Sequence, residues 1–314
     1  MLTDRKISVV TPCYNDAGSL REMHRRVAAV MQQITPTWEL VYVNDASPDD
    51  AWAVLRELAA ADRRVVAMDH ARNFGAEAAY TAGLRVCTGD AAIMIDGDLQ
   101  DPPELFVEFV RQWLAGAQVV YGVRRRRPGN LLKRAAYRLF YRIYRRLSYL
   151  DIPVDAGDFG LLDRRVVDEL NRLPESDRFL RGLRTWVGFR QVGVPYERAE
   201  RYAGRSASGL AVYLRAARRG IFSFSYAPLE LVSYLAAVMA VLTSVALLFY
   251  LGLAIASPAP RGFLTQLVIT LVLSSMQFLC LAVIAEYVGR TFEEVKRRPT
   301  SIIREILNDP SSRP

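Results

Sequence analysis

The sequence predicts an α/β domain with a mostly parallel sheet, followed by a hairpin of two membrane-spanning helices. Short β-branched runs alternate with helical stretches through residues 1–120, which is the rhythm of a parallel sheet. Residues 231–260 and 262–285 carry no charged side chain, and each stretch is long enough to cross a bilayer. A purely soluble protein is therefore disfavoured, because the remaining residues are too few to bury both stretches.

The individual elements follow in order from the local pattern. The first strand is the run ISVVT, and the runs ELVYV, RVVAM, AAIMI and QVVY continue the series, with an amphipathic stretch between each pair. Strands are predicted at residues 7–11, 39–43, 64–68, 91–95 and 118–121, and helices at residues 18–33, 50–61, 75–86 and 104–115. Ligands of such open sheets bind beyond the carboxyl ends of the strands, so the residues after each strand are the first candidates for a site.

Three loops at these strand ends carry side chains rich in oxygen. They comprise residues 12–16, 44–47 and 96–101. Helix caps and turns use the same residue types, and for the second loop alone that explanation is as good as a functional one. In the third loop Asp96 and Asp98 bracket a glycine, and further oxygen donors follow, which is more than a cap needs. Such hard oxygen ligands suit Mg²⁺ or Mn²⁺.

The motifs of several other site types are absent from the sequence. No GxxxxGK[ST] loop occurs and no GxGxxG follows the first strand, so a nucleotide diphosphate held through a metal ion remains as the prediction. Cys13, Cys87 and Cys280 lack CxxC spacing, which predicts neither a disulfide framework nor a zinc site. His24 and His70 are expected at the surface or at an edge of the fold rather than as catalysts.

Four segments, taken in order, resemble the motifs of a known enzyme family. They are residues 8–16, 43–49, 72–75 and 96–104. They are similar to the inverting family 2 glycosyltransferases of the GT-A fold, and within that family to the polyprenyl-phosphate glycosyltransferases, such as undecaprenyl-phosphate glucosyltransferases and dolichyl-phosphate mannose synthase. The similarity continues through residues 157–159, 178–182 and 186–189 into both apolar stretches. It implies transfer of one sugar from a UDP-glucose-like donor or GDP-mannose to polyprenyl phosphate.

The resemblance also implies roles on the donor side. Asp96 and Asp98 correspond to the DxD pair, and with Gln100 they are the expected metal ligands. A divalent ion there stabilises the negative charge that grows on the departing nucleotide. The positions implied for binding the donor are Pro12, Tyr14, Asp16, Asp45, Arg72, Asn73 and Asp96, of which Asp45 is the strongest candidate for the base and ribose.

Three residues are the implied catalytic groups, namely Asp98, Asp158 and Arg124. Asp158 resembles a position proposed as a catalytic base, but a lipid phosphate is already ionised near neutral pH. Asp158 could therefore orient the acceptor or a cationic partner, or it could simply close a turn. Arg124 resembles an arginine that pairs with a substrate phosphate.

The chain departs from the group's pattern at three places. Asp16 stands where glutamate is usual, Gly160 replaces an arginine, and residues 205–208 replace a stretch that carries serine and then lysine. Phosphate binding is therefore expected to depend on Arg124, Arg127, Arg201 or Arg205.

Basic charge is concentrated beside the membrane segments. The net charge is +8, and residues 124–146 hold ten basic residues and no acidic one. Residues 132–150 project as an amphipathic helix with a cationic face, and residues 210–224 form a second basic helical stretch. Membrane lipid is the expected partner of these interfacial helices. Nucleic acid is not, because no groove reader or stacking platform is evident.

The flanking charges also predict a topology in the cell membrane. Both ends of the hairpin are basic, whereas its connection holds only Arg261 and turns at residues 257–260. The positive-inside rule then places the catalytic domain and both termini of this multi-pass chain in the cytoplasm. The predicted segments are a nucleotide-sugar part (1–130), an acceptor-side part with juxtamembrane helices (131–227), two transmembrane helices (228–288), and a C-terminal helix and tail (289–314). The resemblance further suggests a homo-oligomer packed through the hairpins.

A processive membrane polysaccharide synthase is the alternative function. Such enzymes resemble one another in a QxxRW motif and in a larger number of spans. The corresponding region here reads ESDRF, and only two spans are predicted. The single-sugar transferase is therefore favoured.

Overall fold

The computed structural model of the chain describes residues 1–125, 156–199, 225, 227–256 and 262–310. Its strands are β1 (Ile7–Cys13), β2 (Trp38–Asn44), β3 (Val65–His70), β4 (Ala91–Met94), β5 (Val119–Arg124), β6 (Ala156–Asp163), β7 (Gln191–Tyr196) and β8 (Ile303–Leu307). Its helices are α1 (Ala17–Ile34), α2 (Ala51–Ala61), α3 (Ala76–Val86), α4 (Phe106–Leu114), α5 (Arg164–Arg172), α6 (Leu180–Trp186), α7 (Ala227–Ala256) and α8 (Phe263–Val295). A short 3₁₀ helix, Pro103–Leu105, precedes α4.

One sheet contains all the described strands, in the order β7-β5-β6-β4-β1-β2-β3-β8. β1 pairs in parallel with β2 and β4, and β2 pairs in parallel with β3. Each intervening helix returns the chain so that the next strand runs in the same direction, as the alternating pattern predicts. The predicted mostly parallel α/β fold is therefore confirmed, and the carboxyl ends of β1, β2 and β4 share one edge of the sheet.

Both faces of the sheet are covered by helices. α1, α2 and α4 bury apolar side chains such as Leu20, Leu55 and Phe106 on one face, and α3, α5 and α6 cover the other. Strands buried on both faces are apolar almost throughout, which explains the continuous hydrophobic runs of the sequence. The core thus holds the strand ends in fixed positions beneath the loops.

β6 lies between β4 and β5 and runs antiparallel to both. Met94 is paired with Gly160, so continuing this register by two residues places Asp158 level with Asp96. Gly160 is required by close packing, because a Cβ atom there would lie 2.4 Å from the main-chain oxygen of Val120. No larger residue fits at this position unless β5 moves.

The C-terminal segment corrects one expectation from the sequence. Residues 289–314 are expected as a helix and tail, but within the described part α8 continues to Val295 and Ile303–Leu307 form β8, antiparallel to β3. Arg304 Nη1 lies 3.0 Å from a carboxylate oxygen of Asp69 in β3, and Asn308 donates to two main-chain carbonyls. A five-residue run carries little signal by itself, and the pairing with β3 is what makes it a strand.

α7 and α8 are the two long apolar helices. The windows Leu229–Ala246 and Ile269–Val295 have the length and hydropathy of membrane spans, and neither is buried by protein. Large apolar side chains on both helices are exposed, including Val241, Phe249 and Phe278. These properties indicate that the chain associates with a membrane.

Several expectations fall outside the described residues. These are the interfacial helices at 132–150 and 210–224, the turn at 257–260, and Arg127, Arg201 and Arg205. The boundary between segments 1–130 and 131–227 also falls there. Both segments contribute to the same sheet, because β5 lies between β6 and β7.

Candidate active site

The loops after β1, β2, β3 and β4 meet at an open cleft. The predicted site residues that line it are Pro12, Tyr14, Asp16, Asp45, Asn73, Asp96 and Asp98. The structure therefore brings together residues that are more than 80 positions apart in the sequence.

Each of the three main loops contains a non-glycine residue in the left-handed region. The φ angles are 59° for Asn15, 50° for Ala46 and 58° for Leu99. This conformation costs about 1–2 kcal/mol for residues that carry a Cβ atom. It persists only where neighbouring contacts hold it, and Asn15 N donates to the hydroxyl of Ser47 over 2.8 Å. The loops are thus held in one shape before a ligand binds.

Asp45 is buried at the end of β2 and holds the loop between β3 and α3. Its carboxylate accepts the main-chain N–H groups of Phe74 and Gly75 at 2.8 and 2.7 Å, and it contacts Nδ1 of His70 at 2.9 Å. Burial opposes ionisation, but the hydrogen bonds from His70 and the two amides hold the pKa of Asp45 below its ordinary value. Asp45 lies at the predicted place, and much of its capacity to accept hydrogen bonds is already used by the protein.

His70 is not at the surface, contrary to the expectation for the histidines. Its side chain is fully buried behind Asp45 and meets the ring of Phe74 edge-on, with centroids 5.5 Å apart. His24 is partly buried and contacts Asp62 at 3.2 Å. The strand β8 covers β3 on its outer side, which is why a histidine near the end of β3 becomes part of the interior.

Three carboxylates after β4 face a single guanidinium group. Arg198 lies 3.2 Å from Asp101, 3.7 Å from Asp96 and 4.0 Å from Asp98, and the hydroxyl of Tyr80 donates to Asp96 over 2.8 Å. Desolvation within the cleft and the charges of Asp101 and Asp98 raise the pKa of Asp96 to about 7. Desolvation and the repulsion between these carboxylates therefore both oppose the ionisation of Asp96.

This donor set fits a divalent cation at Asp96 and Asp98. Both line the cleft, and 42% of the Asp96 side chain is exposed there. Gln100, the third predicted ligand, does not line the cleft, and its Nε2 donates to the carbonyl of Ala199 over 3.4 Å. Within the described ranges, no three His, Cys, Asp or Glu side chains converge as a ready-made metal site. The carboxylates present the right chemistry, with Arg198 in front of them.

Asp158 is held in an ion pair, and this arrangement bears on its proposed role as a base. Arg181 Nη2 lies 3.0 Å from the Asp158 carboxylate, and the buried Arg184 donates to the carbonyl of Gly157 over 3.4 Å. Burial opposes ionisation of Asp158, but the charges of Arg181, Arg184 and Arg124 lower its pKa. Burial lowers the pKa of Arg184 to about 10. A carboxylate with a lowered pKa accepts a proton poorly, which favours the orienting role.

Arg124 lies beside the acidic cluster and does not line the cleft. Its Nε donates to the hydroxyl of Tyr196 over 3.2 Å, and its Nη2 lies 3.9 Å from Asp101. The same hydroxyl donates to Asp101. Burial opposes the charge on Arg124, but Tyr196 and the neighbouring aspartates raise its pKa. Arg124 is therefore a permanent cation at the rim of the cluster.

The remaining predicted donor residues occupy different environments. Asp16 accepts the main-chain N–H of Tyr14 over 3.1 Å, which shapes the loop after β1. Asn73 lines the cleft, whereas Arg72 is exposed and lies 4.0 Å above the ring of Phe74. The cleft thus contains most of the predicted donor residues but not Arg72.

Reasoning from the sequence missed several residues of the site. Arg198 and Tyr196 come from the end of β7, which reaches the acidic cluster only because β7 pairs with β5. Tyr80 comes from the buried face of α3. Arg181 had a signal, since it belongs to the segment 178–182 that carries the family resemblance.

The sequence profile described as Glycosyl transferase family 2 matches residues 8–170, which is more than half of the chain. The chain is a family 2 glycosyltransferase. The matched region runs from β1 into α5 and includes all the acidic loops of the cleft. The sheet with these loops at its carboxyl edge is the GT-A fold predicted from the resemblance.

Relatives of this family 2 glycosyltransferase span nearly its whole length. YkcC, an uncharacterized glycosyltransferase of Bacillus subtilis, is 41% identical over 300 residues, covering 95% of this chain and 93% of the relative. The prophage bactoprenol glucosyl transferase homolog of Escherichia coli is 37% identical over 306 residues, covering 96% and 99%. Among solved structures, glucosyl-3-phosphoglycerate synthase from Mycobacterium tuberculosis in complex with Mn²⁺, UDP-glucose and phosphoglyceric acid is 22% identical. It covers 69% of this chain and 77% of its own, with a TM-score of 0.43.

Proposed function

We propose that this enzyme transfers one sugar, with inversion, from a nucleotide diphosphate sugar to polyprenyl phosphate at the cytosolic face of the cell membrane. One observation carries the proposal: the domain that holds Asp96 and Asp98 in an open cleft is continuous with a membrane hairpin. The relative named as a bactoprenol glucosyl transferase supports a polyprenyl acceptor. A membrane anchor confines such an acceptor near the cleft.

The donor nucleotide binds in the loops after β1, β2 and β3. Tyr14 is 46% exposed at the cleft and offers a ring face to a base, while Asp16, Asp45 and Asn73 offer polar groups to the base and ribose. Because these loops are held in strained conformations before binding, little ordering is required when the donor enters. The nucleotide of the donor is uridine diphosphate or guanosine diphosphate.

Asp96 and Asp98 would hold Mg²⁺ or Mn²⁺ beside the donor diphosphate. The bound ion supplies Lewis acidity to the departing nucleotide. Arg198 lies 3.7 Å from Asp96 and 4.0 Å from Asp98, so it balances part of their charge.

The residues of this chain position the acceptor for an in-line displacement. An oxygen of the lipid phosphate attacks the anomeric carbon while the bond from that carbon to the nucleotide diphosphate breaks. The phosphate is already an anion, so no strong base is needed. Arg124 lies beside Asp101 and Arg181 lies beside Asp158, and these two arginines are the cations assigned here to the lipid phosphate. Asp158 keeps Arg181 in place.

The proposed hairpin topology is supported by the C-terminal strand. β8 follows α8 and joins the sheet of the catalytic domain, which supports placing both ends of the hairpin on the side of that domain. The basic flanks support placing this side in the cytoplasm. Association of hairpins into a homo-oligomer, and binding of anionic lipid by residues 132–150, stay predictions.

The test is a transfer assay with the purified full-length chain. Labelled UDP-sugars and GDP-sugars are incubated with polyprenyl phosphate and Mn²⁺ or Mg²⁺, and the organic phase is analysed for a sugar phosphate lipid. We expect an organic-soluble product that depends on polyprenyl phosphate. A water-soluble polymer would instead support a processive synthase, and absence of any product with the whole donor panel would refute transfer to this lipid.

A further inference from the structure

We propose that Glu294, near the end of α8, is a positioning residue that sets Arg181 against Asp158, so that the membrane hairpin itself aligns the acceptor side of the active site. The proposal rests on the proposed function for the identity of the acceptor. The contacts that carry it are independent of that identity. They connect the second membrane helix to the active site through a single short loop.

Glu294 binds the main chain of that loop directly. Its two carboxylate oxygens each lie 3.0 Å from the N–H of Ser176, and Oε1 also lies 3.3 Å from the N–H of Asp177. Hydrogen bonds from main-chain amides to a charged carboxylate are stronger than those between neutral groups. The partners are more than 110 residues apart in the sequence, so these bonds join two segments that the chain order does not hold together.

One face of α8 is dedicated to this contact. Glu286, Arg290 and Glu294 are spaced four residues apart and therefore lie on the same side of the helix. Arg290 contacts Glu286 at 3.2 Å and Asp177 at 3.5 Å, which adds a second tie to the same loop. Apolar side chains at Val288 and Phe292 are exposed. The end of α8 thus has a polar face on the catalytic domain and an apolar face directed away from it, as expected at a membrane boundary.

The loop transmits its position to Arg181 because it leads straight into α6. Leu180, the first residue of α6, donates its N–H to Glu77 over 3.0 Å. Arg178 donates to the main-chain carbonyls of Leu170 and Leu173. The start of α6 is therefore hydrogen-bonded to α3 and to the end of α5. The hydrogen bonds from Ser176 and Asp177 to Glu294 add a third contact, between α8 and the loop before α6.

Asp158 depends on this arrangement for its partner. Arg181 Nη2 binds Oδ2 of Asp158, while Oδ1 is buried with no hydrogen-bond partner among the described residues. A shift of α6 would leave a buried carboxylate without its cation, which is costly. The position of α8 in the membrane is thereby linked to the charge and orientation of Asp158, level with Asp96 across the sheet.

The first experiment compares two adjacent glutamates in the full-length chain. Glu293 is exposed and pairs with Lys296 at 2.5 Å, so Glu293→Ala is the matched control for Glu294→Ala. We expect Glu294→Ala to lower kcat about tenfold, because Arg181 is then held less well against Asp158, and to leave the KM for the donor unchanged. Glu294→Gln keeps one acceptor oxygen, so its kcat should lie between the kcat of Glu293→Ala and that of Glu294→Ala. Equal kinetics for the alanine variants at 293 and 294 would overturn the proposal.

The second experiment asks whether Glu294 acts through Arg181. In a double-mutant cycle, Arg181→Ala and Glu294→Ala are measured separately and together. If Glu294 positions Arg181, the double variant loses no more activity than Arg181→Ala alone. A loss equal to the product of the two separate losses would show that Glu294 stabilises the chain in general, and the proposed role would be wrong.

A third measurement keeps the inference separate from the proposed function. Amide hydrogen exchange of residues 176–181 is measured without substrate in the wild type, in Glu293→Ala and in Glu294→Ala. We expect faster exchange at Ser176 and Asp177 in Glu294→Ala only. If the wild type transfers no sugar to polyprenyl phosphate, the proposed function fails, and this exchange result still decides whether α8 holds the loop. Unchanged exchange in Glu294→Ala would refute the inference.

Discussion

The donor side and the acceptor side of the cleft are built in different ways. On the donor side, carboxylates follow directly after β2 and β4 and are held by nearby main-chain groups, as Asp45 is by Phe74 and Gly75. On the acceptor side, Asp158 depends on Arg181, and the segment before Arg181 depends on Glu294 of the membrane helix. Among the described residues, the proposed donor site is therefore held by contacts within the sheet domain, whereas the proposed acceptor side includes a contact from the second apolar helix.

This difference indicates which steps depend on the membrane. Donor binding uses loops that are rigid and local, so it should be insensitive to the hairpin. Acceptor alignment uses ion pairs between distant segments, and such pairs respond to small displacements of either partner. The following variants test this difference between the donor side and the acceptor side.

The largest expected effect is on the donor side, at Asp98. Asp98→Asn preserves size but removes a charge from the acidic cluster, so stabilisation of the departing nucleotide is lost. We expect turnover to fall by about 10²–10³-fold, measured as labelled lipid product. Glu57→Gln, at an exposed ion pair with Arg21, is the matched surface control and should leave turnover unchanged. Wild-type turnover in Asp98→Asn would remove this residue from the metal site.

On the acceptor side, Arg181→Gln should change the pH dependence of turnover. Arg181 helps to lower the pKa of Asp158, and without it the burial of Asp158 raises that pKa. Asp158 is ionised above its pKa, so the variant should lose activity on the acid side at a higher pH than the wild type. We expect the acid limb of the kcat–pH profile to move to higher pH in the variant, whereas kcat above this limb changes less. Arg172→Gln, at an exposed pair with Glu169, is the control. If the acid limb of the kcat–pH profile is the same in Arg181→Gln and in the wild type, Arg181 does not control the charge of Asp158.

Asp45→Asn tests the scaffold of the donor site. Asparagine has one acceptor oxygen, and its NH₂ group cannot accept a hydrogen bond. One of the two N–H groups, of Phe74 or of Gly75, therefore loses its partner, and the loop after β3 loses a contact. We expect the nucleotide to bind about tenfold more weakly in isothermal titration calorimetry. The KM for polyprenyl phosphate should stay the same. If the dissociation constant of the nucleotide and the KM for polyprenyl phosphate rose equally, the contrast between the two sides would be removed.

The smallest expected effect is at the far edge of the sheet. Arg304→Ala leaves the buried carboxylate of Asp69 with only the amide of Asn44 as a side-chain partner among the described contacts. We expect a loss of about 1–3 kcal/mol in the free energy of unfolding, measured by denaturant titration in detergent. Arg56→Ala removes a more exposed ion pair with Glu305 and should cost less than about 1 kcal/mol. Equal losses would show that the burial of Asp69 has no influence.

The same contrast separates what the sequence could predict from what it could not. The five predicted strands and the loops after them are local features, since each depends on a run of a few residues and the turn that follows. Arg198 reaches Asp96 only through the pairing of β7 with β5, and His70 is buried only because β8 returns to cover β3. Neither pairing leaves a local trace in the chain. The glycine at 160 was visible as a departure, but its cause, the approach of Val120, belongs to the packed sheet.

The position of β8 has a practical consequence for obtaining a water-soluble catalytic unit. A chain truncated before α7 would lose the membrane hairpin and also the edge strand β8. β3 would then present its unpaired amides and carbonyls to other molecules. Aggregation is the expected result. A short linker in place of residues 227–295 would instead retain β7 and β8 on opposite borders and keep Asp69 paired.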